Sequence, residues 1–272
     1  ANGFPGIHLP FWVVLPIAVV VAATFGALLG APTLRLRGDY LAIVTLGFGE
    51  IVPVFCKNLV NVNFSFGPIQ LVNANLTGGP LGINPIDAPG FFGLKFGAIS
   101  GINAVYLGFV LLLIGIVIAR NLERSRMGRA WMGIREDEVA AEMMGVNTVR
   151  TKLLAFGLGA AFAGVAGAFQ ASYQGATTSE FFQFSTSILV VVMIILGGIG
   201  HLRGALIGAF AFALLQEFFK SEAIFGAFAK HWHLGLGLTI IVSVALLPKG
   251  LVGLPGQWRE RLVGRSRREP IG

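Results

Sequence analysis

Charged side chains are scarce in this chain: Asp, Glu, Lys and Arg make up 12% of its 272 residues, about half the share usual in a soluble domain. With so little charge and a mean hydropathy of +0.78, a fold with a fully water-facing surface is excluded, and an integral membrane protein is indicated. Cysteine is nearly absent too. Cys56 stands alone inside an apolar run, which rules out an intrachain disulfide and reads as an inert thiol. No glycine-rich loop ends in Gly-Lys-Ser or Gly-Lys-Thr, so the chain lacks that phosphate cradle for ATP hydrolysis. Ser187 and Ser243 have no intramembrane histidine to pair with, which excludes an intramembrane serine protease. His231 and His233 flank Trp232 as an interfacial aromatic anchor does, and we expect no metal site.

Long hydrophobic runs are what the chain does have. A bilayer core takes about 20 residues of apolar helix. Five runs come near that length, at 11–31, 40–60, 102–119, 153–174 and 181–199, and two shorter ones lie at 204–219 and 235–248. The expected fold class is all-α: a polytopic transmembrane helical bundle, with residues 1–272 forming a single domain. The longest connection, 61–100, is rich in Gly, Pro and Asn and reads as a loop. Residue 1 is Ala and the first nine residues lack the basic start of a signal peptide, so an N-terminally trimmed chain is expected.

If seven spans alternate, sixteen of the twenty Lys and Arg fall on one side, leaving only Lys57, Lys95, Lys220 and Lys230 on the other. Positive charge gathers on the cytoplasmic side of membrane proteins. Residues 120–152 and the C-terminus are therefore expected inside and the 61–100 loop outside. Because the net charge of +7 sits at helix ends, it calls for a lipid bilayer and for no nucleic acid.

Small residues recur at helical spacing: Gly26 and Gly30; Gly200, Gly204 and Gly208; Gly157, Ala160, Ala161, Gly164 and Gly167. Without water to drive helices together, membrane helices associate by close backbone approach, so these read as helix contacts within the bundle and not as a gate. Asp39 reads as a helix cap with an ion pair to Arg37, and His201 with Arg203 as a cytoplasmic turn.

One stretch breaks the apolar pattern. From Gly128 to Lys152 the chain reads GRAWMGIREDEVAAEMMGVNTVRTK. The acids Glu136, Asp137 and Glu138 stand where a helix N-terminus favours negative charge, and Gly145 stands where a left-handed cap is easiest. A helix over Ile134–Gly145 is expected, followed by Asn147 or Thr148 capping the next span. Its apolar residues, Val139, Ala140, Ala141, Met143 and Met144, are small or flexible and suit a groove on another protein.

The segment SRMGRAWMGIREDEVAAEMMGVNTVRTKLLAFGLGAAFAGVAGA, from Ser125 to Ala168, resembles the cytoplasmic coupling loop of the ABC-importer permeases for branched-chain amino acids, specifically the LivM-type subunit. LRLRGDYLAIVTLGFGEIV, from Leu34 to Val52, and LTGGPLGI, from Leu76 to Ile83, extend the resemblance over most of the chain. The family's coupling helix carries Glu-Ala-Ala, three residues, then Gly. Val139, Ala140, Ala141 and Gly145 keep that spacing, with Val in place of Glu and Glu138 one residue earlier. The resemblance implies that Arg135, Glu136, Asp137, Glu138, Val139, Ala140, Ala141, Glu142 and Gly145 dock in a cleft of a cytoplasmic ATPase. It implies as partners a homologous permease subunit, two cytoplasmic ABC ATPase subunits and a periplasmic amino-acid-binding protein, in a bacterial inner membrane. No cofactor is implied for this chain, ATP being used by the partner subunits. Family members have further hydrophobic segments before the point where this chain begins, so part of the substrate path is expected to lie outside it.

Glu50 sits midway along the 40–60 run, where an ionised carboxylate costs about 2.5–3.5 kcal/mol by insertion scales and so faces a polar partner or a water-filled path. Gly47 and Gly49 thin the helix beside it and Pro53 removes a backbone donor, so a kink or local unwinding is expected. Two readings stay open: Glu50 lines the translocation path with Gly47 and Gly49, or it makes a structural hydrogen bond between helices. Thr77, Gly78 and Gly79 form a turn before Pro80; outside the membrane, that turn would touch a binding protein or form an outer gate. The function these readings imply is a permease subunit importing branched-chain or related neutral amino acids, without an ATPase site of its own. A urea or short-amide permease, or a stand-alone secondary transporter using Glu50, are the alternatives.

Overall fold

The computed structural model describes residues 9–34, 39–59, 62–66, 69–74, 77–91, 94–95, 101–221, 234–235, 237–239, 241 and 250–253. Arg35, Arg37, Lys230, His231, Trp232, His233, most of the 235–248 run and most of the basic C-terminal segment lie outside them, as does the side chain of Asp39. The chain divides into two compact units, Ala1–Phe184 and Ser185–Gly272.

Among the described residues, the first unit contains six α-helices. α1 spans Phe11–Thr33, α2 Asp39–Asn58, α3 Gly101–Arg124, α4 Arg126–Glu136, α5 Glu138–Met143 and α6 Thr148–Gln174. α1, α3 and α6 are long and apolar enough to cross a membrane. Their apolar side chains face largely outward, as at Val20, Phe25, Leu28, Phe109 and Val117. In water such exposure would be costly; in hydrocarbon it is the solvated state.

The pairing of α1 with α6 organises this unit. A Cβ at Gly26 would fall on that of Ala160, one at Gly30 would lie 3.2 Å from Phe156 Cβ, and one at Gly164 would meet the Ala18 carbonyl and Ala22 Cβ at 2.8 Å. The two backbones therefore touch along their length, as the small-residue spacing predicts. Gly167 has open space beside it and takes no part. α3 adds to α6 by another device, its Gly108 and Gly115 receiving the rings of Phe169 and Phe162.

The 61–100 connection is not plain loop. Val62–Phe66 (β1) pairs antiparallel with Ile69–Ala74 (β2), and Gly90–Phe91 (β3) with Leu94–Lys95 (β4). The alternation Val62, Asn63, Phe64, Ser65, Phe66 is a period-two strand signal that the Gly, Pro and Asn content masked. The predominantly helical, polytopic architecture stands, with two small hairpins added to it.

α7 (Phe184–Gly197), which lies in the second unit from Ser185 onward, and α8 (Leu202–Lys220) form an antiparallel hairpin around Leu196 and Phe212. The turn between them uses left-handed glycines at 198 and 200, with φ of 117° and 93°, that other residues would resist. A Cβ at Gly208 would strike the Met193 carbonyl, and one at Gly204 the Gly198 carbonyl. α8 is long and apolar enough to span a membrane, whereas α7, at 14 residues, is shorter than the 181–199 run because Ser179–Phe182 forms a separate 3-10 turn. His201 takes the N-cap position of α8, and Arg203 lies in its first turn.

Candidate functional site

The polar insert is built from two helices where the sequence predicts one. Ser125 interrupts α3: its hydroxyl donates to the Leu122 carbonyl at 2.6 Å and accepts from Gly128 N–H at 3.2 Å, so it caps α4. Gly128 allows the corner, since a Cβ there would collide with the Glu123 carbonyl. Ile134, Arg135 and Glu136 belong to the last turns of α4, not to a helix over 134–145. The break falls at Asp137, whose extended backbone and carboxylate stop one helix and start the next. Its Oδ1 accepts from Val139 N–H at 2.9 Å and Ala140 N–H at 3.0 Å. A short acidic side chain with its own local backbone partners prefers this capping geometry to a helix interior.

α5 ends as the left-handed position at Gly145 requires. The Gly145 N–H reaches the Glu142 carbonyl at 2.9 Å and the Val146 N–H reaches the Ala141 carbonyl at 3.1 Å, with φ of +85° at Gly145. These two bonds are the Schellman closure of a helix C-terminus. Asn147 then caps α6, its side-chain oxygen accepting from Arg150 N–H at 2.9 Å, which decides between the two candidate caps.

The insert is held to α6 at two points. Trp131 Nε1 donates to the Thr151 carbonyl at 2.7 Å, and Lys152 Nζ pairs with Glu138 at 2.5 Å. The indole bond is part-buried, while the ion pair is partly solvated and is worth about 0.2–1 kcal/mol. Ala141 is 8% exposed and faces Gly133 of α4, so its small size serves packing within the insert. The outward face of α5 is different: Val139 is 64%, Met143 83% and Met144 85% exposed. Arg135, Glu136, Glu138 and Glu142 are exposed around it.

α2 carries the second set of candidates. It runs unbroken through Pro53 from Asp39 to Asn58, so the expected local unwinding is not present. Pro53 still offers no N–H to the carbonyl four residues back, that of Gly49. A Cβ on Gly49 would lie 3.8 Å from the Phe184 ring, Gly47 has open space beside it, and Glu50 is exposed. Cys56 is a free, half-buried thiol. Thr77 is in reach of the same helix, its hydroxyl donating to the Cys56 carbonyl at 2.5 Å. Gly78 and Gly79 follow with φ of 69° and 59° and lead into a 3-10 turn, Gly79–Leu81. α2 thus holds Gly47, Gly49 and Glu50 on one element with Thr77 clasped to its end. The insert lies apart from them in the chain. Among the described residues no group of three or more His, Cys, Asp or Glu is placed to hold a metal ion.

The sequence profile of the branched-chain amino acid transport system / permease component family matches residues 2–245. The chain belongs to that family. Relatives within it include LivM, the high-affinity branched-chain amino acid transport system permease protein of Escherichia coli K12, 36% identical over 90% of this chain and 58% of the relative. The probable LivM protein of Methanocaldococcus jannaschii is 22% identical over 88% of this chain and 68% of its own length. LivH of E. coli K12 is 30% identical over 58% of this chain and 49% of the relative. The chain thus spans less than three fifths of the length of the E. coli LivM protein. No solved structure matches it. Four of its described helices are long and apolar enough to cross a membrane, which fits a multi-pass member of this permease family.

Missed by the sequence reading were Trp131 and Lys152 as anchors of the insert, and the engagement of Thr77 with α2. A lone Trp in a polar segment was a signal for the first, since a buried indole needs an acceptor.

Proposed function

We propose that this chain is the permease subunit of a bacterial inner-membrane ABC importer for branched-chain or related neutral amino acids. It works with a homologous permease, two cytoplasmic ATPases that use the ATP, and a periplasmic binding protein. The observation that carries the coupling role is the outward face of α5: Val139, Met143 and Met144 stand exposed on a short helix capped at both ends. Thioethers are polarizable and adaptable, and an exposed methionine pair fits an apolar cleft on a partner. Arg135, Glu136, Glu138 and Glu142 supply the polar rim. Asp137, Ala140, Ala141 and Gly145 serve by shaping the helix.

In this reading, ATP binding closes the ATPases and carries α5 with them. The pore then changes access, and substrate handed over by the binding protein passes along α2. Gly47 leaves room there, Gly49 lies beside it with a carbonyl that lacks its helical donor, and Glu50 adds a carboxylate to the same polar stretch. The basic flanks support a cytoplasmic position for 120–152 and the C-terminus. The names of the relatives support branched-chain amino acids over urea or short amides. Membership in this family supports an ATP-driven assembly over an ion-coupled carrier built on Glu50.

Affinity purification of the tagged chain from its native membrane tests the reading. ATPase chains should copurify, and their hydrolysis should rise when loaded binding protein is added. Robust uptake by this chain alone, driven by an ion gradient, would overturn it.

A further inference from the structure

The segment 77–90 touches the ends of three helices. At its start, Thr77 donates to the Cys56 carbonyl at 2.5 Å. This is one of the last four carbonyls of α2, which have no acceptor-to-donor partner within the helix. In its middle, Ile83 and Thr177 exchange backbone hydrogen bonds at 2.9 and 3.1 Å, and Ile86 N–H donates to the Gly175 carbonyl at 2.7 Å, just past the end of α6. At its close, the Gly90 carbonyl accepts from Trp12 Nε1 at 3.1 Å, in the first turn of α1. Pro89 is fully buried between the last two contacts. The approach to α6 depends on glycine: Gly82 has φ of +70°, and a Cβ on it would fall on the Thr177 carbonyl.

The far end of α6 is anchored as well. Trp131 and Lys152 tie the insert to its first turn, and between the two ends the Gly and Ala seam fixes α6 to α1. α6 has 27 residues, a length of about 40 Å at 1.5 Å per residue. A packed seam with backbone contact is bistable or rigid, and does not deform continuously.

We infer that the insert, α6, α1 and the 77–90 strap move as one lever, so that displacement of α5 on the cytoplasmic side is delivered to the strap on the outer side. This rests on the coupling role proposed above. Trp131 and Gly82 are then positioning residues for transport, and Thr77 joins α2 to the lever by its hydroxyl. Opening occurs at surfaces around this body and not along the α1–α6 seam.

A disulfide across the seam tests it in the assembled transporter, reconstituted in vesicles with its ATPases and binding protein. A Cβ on Gly157 lies 3.9 Å from that of Ala27, within the span of about 3.5–4.5 Å that a disulfide bridges. In a Cys56→Ala background, Ala27→Cys with Gly157→Cys should oxidise readily, and uptake of radiolabelled leucine should stay within about twofold of the reduced form, a difference under 0.5 kcal/mol. A fall of about tenfold or more that reverses on reduction, or failure of the bond to form, overturns the lever. Thr77→Val keeps shape and removes the O–H. It should lower uptake about fivefold, the worth of one hydrogen bond, with ATPase copurification unchanged, and Thr77→Ser should restore it. Wild-type uptake in Thr77→Val overturns the link to α2. If ATPases copurify and respond to binding protein while oxidation blocks uptake, the lever fails and the coupling role stands. If no ATPase is retained, the coupling role itself fails.

Discussion

The α1–α6 seam and the 125–147 insert answer the same demand, burial of small and apolar side chains, in opposite ways. Along the seam, small residues meet small residues of the same chain: Gly26 meets Ala160 and Gly164 meets Ala18 and Ala22. In α5 of the insert, Ala141 is turned inward, against Gly133, while the larger apolar groups Val139, Met143 and Met144 stand exposed among the described residues. The seam is finished within the chain. The insert is shaped within it, by Asp137, Gly145 and Asn147, but its apolar face is left for something else. Under the coupling role proposed above, a segment that caps its own ends and leaves methionines uncovered is the docking element.

Substitutions at the two regions should therefore separate folding from transport. The largest effect on folding is expected at Gly164→Leu, which forces side-chain atoms into the Ala18 backbone and costs about 1–3 kcal/mol or more. Detergent-solubilised, fluorescently tagged protein should lose most of its monodisperse peak. Gly167→Leu places the same side chain in open space, and its peak should equal or exceed wild type, because leucine is the better helix former by about 1 kcal/mol. Equal losses at both sites would dissolve the distinction between seam and free face.

Within the insert, Ala141→Trp should lift α5 from Gly133 of α4. It should make the 134–145 region more sensitive to limited proteolysis while the membrane helices remain intact. Gly145→Val is expected to be milder. It faces no clash, only a φ of +85° that a β-branched residue resists, at about 1–3 kcal/mol confined to the turn. Abundance should be near normal and binding-protein-stimulated ATP hydrolysis lost. The smallest effect on folding belongs to Met143→Asp with Met144→Asp, within about 0.5 kcal/mol at exposed positions. Uptake should nevertheless collapse with ATPase retention. Normal uptake in this variant would make the exposed face a solvated loop.

Much of this was legible beforehand because it depends on local chemistry. Hydropathy located the helices, since a bilayer imposes one length and leaves backbone groups no partner but their own helix. The acids at 136–138 and the glycine at 145 marked a helix start and stop. What they did not reveal is that Asp137 ends α4 as it begins α5, because three acids in a row suit a helix N-terminus without showing which of them takes the extended backbone of the cap. The hairpins of 61–100 escaped for a related reason: five alternating residues are a weak signal inside a glycine-rich run.

The site residues divide along the same line. That Gly47, Gly49 and Glu50 share one helix follows from their spacing alone, and that Gly145 is left-handed follows from its place after an apolar turn. That the Thr77 hydroxyl is spent on the Cys56 carbonyl, 21 residues away, does not follow from either. Ala141 makes the same point, since a small residue at a helix face is equally suited to a partner's groove or to a neighbour in the same chain. Periodicity and capping are short-range properties, governed by sterics and hydrogen bonds within a few residues, and the sequence by itself determined them. Which faces then met, α1 on α6, Ala141 on Gly133, the strap on three helix ends, depended on groups far apart in the chain filling one another's space, and only the tertiary structure decided that.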